Sequence, residues 1–311
     1  MSKVAFVFPG QGAQAVGMGK DAFDTFEGAR RVFEQADEAL GFAMTDIIFN
    51  GPDDVLKQTA NTQPALLTVS VALLEALKGR GLTPDYVAGH SLGEYSALVA
   101  AGVLSFSDAV RTVRARGEYM EQAVPGGTGA MAAVLGAERD ALAALCSSVS
   151  AEVSAVELAN VNCPGQIVVS GTAAGVQAVV ERGKEAGAKR VISLEVSGPF
   201  HSSLMKPAAE KLADTLETVT FADASVPVIA NVTAEPVTES AAIRQLLIEQ
   251  VYSPVLWEDS VQKLIALGVD TFVEIGSGTV LAGLIKKIDR NVKIISINSV
   301  QSLEAAVNPI V

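Results

Sequence analysis

The sequence predicts an α/β protein built on a mostly parallel sheet, with a smaller α+β unit inserted into it. Three observations carry this reading. Short β-branched runs (Val4–Phe8, Tyr86–Ala88, Val226–Val232, Thr271–Ile275 and Val292–Ile297) alternate with longer amphipathic stretches, as expected of buried strands joined by crossover helices. Two flexible joints, Pro125–Gly129 and Ser197–Pro199, interrupt that rhythm. Between them the order becomes strand, helix, strand, strand, helix, strand, which is the ferredoxin-like unit.

Taken in order, Val4–Phe8 is a five-residue apolar run stopped by Pro9-Gly10; that is too short for the core of a signal peptide and fits a strand. Ala65–Lys78 and Ser107–Gln122 read as helices. Inside the insertion the strands are Ala130–Leu135, Val153–Val161, Gln166–Ser170 and Arg190–Glu195, and the helices Arg139–Ser147 and Ala174–Ala186. The chain then enters a helix over Ser202–Thr218, where Leu204, Met205, Ala208, Leu212 and Leu216 recur at helical spacing. The expected large domain is 1–125 with 199–311, and the small domain 126–198.

Composition narrows the function. The chain has 311 residues, 49% of them apolar, enough to bury a sizeable core. Only 5% are aromatic and the net charge is −12, both unfavourable for a nucleic-acid surface. Without an uncharged apolar stretch of about 18 residues, the expectation is a cytoplasmic protein that does not enter a membrane. Cys146 and Cys163 form no C-x-x-C pair, and two histidines are too few for a typical zinc set. No metal and no cofactor are expected.

The chemistry is concentrated in Gly89-His90-Ser91-Leu92-Gly93, a G-x-S-x-G turn between a strand and a helical run from Leu92 to Gly102. A serine needs a base within hydrogen-bond reach. Of the two histidines, His90 is Ser91's own neighbour on a tight turn and is expected to pack beside it, which leaves His201. His201 is expected to open the helix from Ser202, where the helix N-terminus keeps an imidazole neutral. Glu94 in the first turn of the helix after Ser91 suits that helix's dipole. The helix Ser107–Gln122 carries Arg111, Arg114 and Arg116, and spacing alone does not choose among them.

Several spaced motifs then agree end to end: Phe8-Pro9-Gly10-Gln11-Gly12, Gly89-His90-Ser91-Leu92-Gly93-Glu94, Arg114-Ala115-Arg116-Gly117, Asn162-Cys163-Pro164-Gly165-Gln166, Gly198-Pro199-Phe200-His201, Val251-Tyr252-Ser253-Pro254-Val255-Leu256-Trp257 and Glu274-Ile275-Gly276. The chain resembles the malonyl-CoA:acyl carrier protein transacylases. That resemblance implies an α/β-hydrolase-like core with a ferredoxin-like insertion, and transfer of a malonyl group from malonyl-CoA to the pantetheine thiol of acyl carrier protein. It assigns Ser91 as nucleophile, His201 as base, Gln11 with the Leu92 N–H as oxyanion hole, and Arg116 as receptor for the malonyl carboxylate. It also assigns the Gln250 main-chain carbonyl to orienting the histidine. Phe200, beside His201, is expected to line the acyl pocket and to disfavour branched acyl groups. Ser277 and Cys163 depart from the residues more usual there. An acidic carrier protein needs a local basic surface on an acidic enzyme, for which Lys286, Lys287 and Arg290, or Lys189 and Arg190, are the candidates. A discrete acyltransferase serving a polyketide synthase fits the same residues. A serine thioesterase shares the turn and the base but has no use for an arginine at the acyl tail.

Overall fold

In the computed structural model, which describes residues 2–307, the first apolar run becomes the centre of a sheet. In chain order the strands are β1 (Lys3–Phe8), β2 (Tyr86–Gly89), β3 (Gly129–Leu135), β4 (Val156–Cys163), β5 (Gln166–Thr172), β6 (Arg190–Ser193), β7 (Val228–Ile229), β8 (Pro236–Val237), β9 (Val255–Leu256), β10 (Val269–Ile275) and β11 (Lys293–Ile297). The large sheet has the order β11-β10-β1-β2-β7-β8, parallel throughout except for the β7–β8 pair. Its central strands are buried on both faces, so they read as continuous apolar runs rather than alternating ones. Position 1 and residues 308–311, at the ends of the expected large domain, lie outside the described residues.

The small sheet has the order β6-β3-β5-β4, antiparallel at each step. Helices Arg139–Glu152 and Ala173–Arg182 cover one face around Val134, Leu142, Val149, Val169 and Val179. This is the expected βαββαβ unit, with one addition: β9, from the returning large part, pairs in parallel with β4. We propose residues 126–198 as the small unit, because its own apolar cluster closes within those limits.

Three expectations are corrected. The strand foreseen over Val226–Val232 shrinks to Val228–Ile229, since Asn231 turns away to hold the site described below. The helix foreseen from Ala65 begins at Thr59, with Pro64 inside it. Proline has no N–H to give the carbonyl four residues earlier, and that carbonyl, Ala60 O, instead accepts from Arg114 Nη1 at 3.1 Å. Finally, His201 does not open a helix. A 3₁₀ turn starts at Ser203 and the α-helix spans Lys206–Glu217.

Candidate active site

β2 delivers the chain to Ser91 with no room for side chains on either flank. A Cβ on Gly89 would lie 1.9 Å from the Gly93 carbonyl, and one on Gly93 would lie 2.1 Å from Phe8 O. Ser91 itself takes a left-handed conformation, φ 51°, costly for a non-glycine residue unless the surroundings enforce it. They do so from both sides. Ser91 N–H donates to Asn231 Oδ1 at 2.7 Å, and Gln250 Nε2 donates to Ser91 O at 3.0 Å. Asn231 Nδ2 also holds Gly89 O at 2.7 Å, so one buried amide staples both ends of the turn.

Across the cleft, His201 sits at φ 56° just past the second joint. Its Nδ1 lies 2.8 Å from the Gln250 main-chain carbonyl, and its Nε2 lies 2.8 Å from Ser91 Oγ. A carbonyl only accepts, so Nδ1 carries the proton and Nε2 is the free acceptor facing the hydroxyl. Burial first, and the Arg116 charge second, push this imidazole down to about 3. Its neutrality therefore comes from desolvation and a neighbouring cation rather than from a helix N-terminus. The small unit holds the segment in place, because Glu157 on β4 accepts from Ser203 N at 3.0 Å and from Ser203 Oγ.

Arg116 is separated from its neighbours by partners. Arg111 pairs with Asp108 at 2.7 Å at the surface, and half-buried Arg114 pairs with Glu118 at 2.6 Å. Arg116 is 1% exposed and has no ion-pair partner among the described residues. Its guanidinium donates to neutral oxygens: Gln63 Oε1 at 2.7 Å, Gln250 Oε1 at 2.9 Å and Ser91 Oγ at 3.2 Å. It lies 5.6 Å from the Tyr95 ring, a favourable cation–π distance. A buried cation contacting only neutral acceptors beside the Ser91 hydroxyl suits an anionic substrate.

These groups open on one cavity of about 190 Å³, lined by Gln11, Ser91, Leu92, Arg116, Phe200 and His201, with Met131 and Val168 from the small unit. The Gln11 side chain is tied to Thr59 Oγ1 at 3.1 Å, and Thr59 to Ser197 in the second joint at 2.9 Å. Leu92 caps the helix Gly93–Ala100, a position whose N–H has no partner within the helix. His90 packs beside the turn as expected, with Nε2 2.8 Å from Asn162 Oδ1 and its ring 5.8 Å from Trp257. Burial lowers its basicity as well. Sequence reasoning missed Asn231, Gln63 and the side chain of Gln250, and gave Glu94 the wrong surroundings. Glu94 is buried, accepting from Asn231 N at 3.1 Å and Gln250 Nε2 at 2.8 Å. Ser277 is structural, donating to Ala13 O at 2.6 Å, and Cys163 is a buried free thiol.

The acyl transferase domain family matches residues 5–303. The chain belongs to that family. As an acyl transferase domain it is 57% identical over 307 residues to the malonyl CoA-acyl carrier protein transacylase of Bacillus subtilis, covering 99% of this chain and 97% of that one. Among solved structures, the acyl-carrier-protein-S-malonyltransferase of Bartonella henselae superposes with a TM-score of 0.95 at 45% identity, covering 98% of each chain. A malonyl-transacylase in complex with a type II polyketide acyl-carrier protein superposes equally well, with a TM-score of 0.95 at 41% identity over 99% of each chain.

Proposed function

We propose that this acyl transferase moves a malonyl group from malonyl-CoA to the pantetheine thiol of acyl carrier protein for fatty-acid synthesis in the cytoplasm, through a malonyl ester on Ser91. The observation that carries the reading is the Arg116 guanidinium, buried beside the nucleophile and facing only neutral acceptors. A terminal carboxylate supplies the charge it lacks, in a two-pronged geometry that a lysine does not offer. The names and high identity of the relatives agree with it.

In the mechanism, neutral His201 Nε2 takes the Ser91 proton while Gln250 O holds the imidazolium through Nδ1–H. Ser91 Oγ attacks the thioester carbonyl, and the oxyanion is met by the main-chain N–H groups of Leu92 and Gln11. With its side-chain amide held by Thr59, Gln11 contributes through the backbone. The tetrahedral adduct expels CoA as thiol, His201 returning the proton to sulfur, and the carrier thiol then reverses the steps. No cofactor takes part. Phe200, buried against this cavity, crowds the acyl α-carbon and disfavours a methyl branch there. The exposed bases Lys286, Lys287 and Arg290, or Lys189 and Arg190, are the proposed landing surface for the acidic carrier. A polyketide carrier as acceptor is the second reading, favoured by the polyketide complex among the similar structures.

The test is acylation kinetics with malonyl-CoA and acetyl-CoA, followed by addition of holo-carrier protein. Arg116→Ala is expected to lower malonyl kcat/KM ~10²–10³-fold, the cost of leaving a buried charge unpaired, and to narrow the preference over acetyl. Reversing Lys286 and Lys287 to glutamate is expected to slow the carrier step while sparing acylation. An Arg116→Ala enzyme with native malonyl preference contradicts the reading.

A further inference from the structure

The side chain of Gln250 stands between the two halves of the site. Its Oε1 faces the Arg116 guanidinium at 2.9 Å, while its Nε2 faces three acceptors: Glu94 Oε2 at 2.8 Å, Ser91 O at 3.0 Å and Asn231 Oδ1 at 3.3 Å. An amide turned by 180° would present its NH₂ to the guanidinium, donor against donor. Of the three acceptors only Glu94 carries charge, and a charge-assisted bond outweighs a neutral one about twofold. Asn231 is itself tied to the same carboxylate through its N–H at 3.1 Å, so Glu94 governs two of the three contacts. Glu94, Asn231 and Gln250 are all buried, which keeps water from replacing a lost partner.

We infer that Glu94 is a positioning residue for substrate selection: its carboxylate fixes the Gln250 amide so that oxygen, not nitrogen, meets Arg116, leaving the guanidinium aligned for an acyl carboxylate. The assignment deepens the malonyl-transfer reading and rests on it. Glu94 touches neither substrate nor reacting atoms, and acts through Gln250 and Asn231. Burial raises its carboxyl to about 7, with the Arg116 charge and the two hydrogen bonds opposing the rise. The experiment therefore belongs near pH 8, where the group is ionised.

The measurement is single-turnover acylation of the native chain, Glu94→Gln and Glu94→Met by malonyl-CoA and by acetyl-CoA, scaled to the fraction of protein that can be acylated. Glu94→Met, which keeps the size and loses the acceptor, is expected to reduce the malonyl-over-acetyl ratio ~10–100-fold, as for loss of a bond to a charged group. Glu94→Gln still offers an oxygen to both donors and is expected to restore most of that ratio. A structural role alone lowers both rates together, and that outcome in Glu94→Met overturns the assignment. So does a Gln variant as unselective as the Met variant. Should Glu94→Met not fold, Glu94→Asp keeps the charge but falls one methylene short of Gln250; loss of selectivity supports the assignment and a native ratio overturns it. A native protein that takes up no malonyl group defeats the functional reading and this one with it. Selective native protein with equally selective variants defeats this one alone.

Discussion

His201, the proposed base, and the buried Glu94 are held in states that their unfolded counterparts do not share, and this makes them visible in stability. His201 is held down to about 3 by burial and by Arg116, against 6.5 for an ordinary histidine. Between those values the unfolded chain binds the proton and the fold does not, so stability falls as pH drops from 6.5 towards 3. Glu94 has the opposite sign. Its carboxyl is raised from 4.5 to about 7 by burial, so its contribution falls as pH rises through that interval. Urea midpoints between pH 4 and 8 are therefore expected to show less acid loss in His201→Gln than in the native chain, and less loss towards pH 7 in Glu94→Gln. Every tenfold difference in proton affinity between the folded and unfolded chain is worth about 1.4 kcal/mol. Unchanged slopes in both variants contradict these environments. At this scale the sequence was legible where chemistry leaves few choices. With two histidines and one G-x-S-x-G turn, Ser91 and His201 follow almost by count. Asn231, Gln63 and Glu94 were not legible, because an Asn in a turn or a Glu in a first helical turn is ordinarily solvated, and only burial makes it structural.

Among the elements, the strand–turn–helix that carries Ser91 depends on backbones passing closer than side chains allow. Gly93 crosses β1 where a Cβ would meet Phe8 O at 2.1 Å, although its φ is not left-handed. Gly93→Ala must push the helix Gly93–Ala100 off the sheet and move the Leu92 N–H with it. The expected cost is ~1–3 kcal/mol of stability, with acylation reduced ~10²-fold or more through the displaced oxyanion donor. Thermal unfolding and single-turnover rates check both, and an unaffected variant contradicts the geometry. The sequence placed this turn and the βαββαβ order because glycines and strand-length apolar runs state them directly. It misplaced the start of helix Thr59–Leu77, which was expected only from Ala65. Some of the polar atoms before Ala65 are satisfied by partners far along the chain, Ser197 Oγ for Thr59 and the Arg116 guanidinium for Gln63. No local pattern encodes such partners.

Over the whole molecule, the two sheets bring together residues far apart in the chain. The large sheet presents Ser91, the segment after the small unit presents His201, and Gln250 near β9 orients it. Glu157 and Ser203, with Thr59 and Ser197, tie the small unit across the cleft, so His201 is positioned by both parts at once. Several spaced motifs made the family readable end to end, whereas the pairing of β9 with β4 depends on how the parts dock and was not. The account rests on a covalent malonyl ester formed at one serine by one neutral imidazole. Peptide mass spectrometry after brief exposure to malonyl-CoA tests that directly. The predicted result is a malonyl adduct on the peptide bearing Ser91 in the native chain, and its loss in His201→Ala. An adduct on another residue, or one formed at the native rate without His201, contradicts the account.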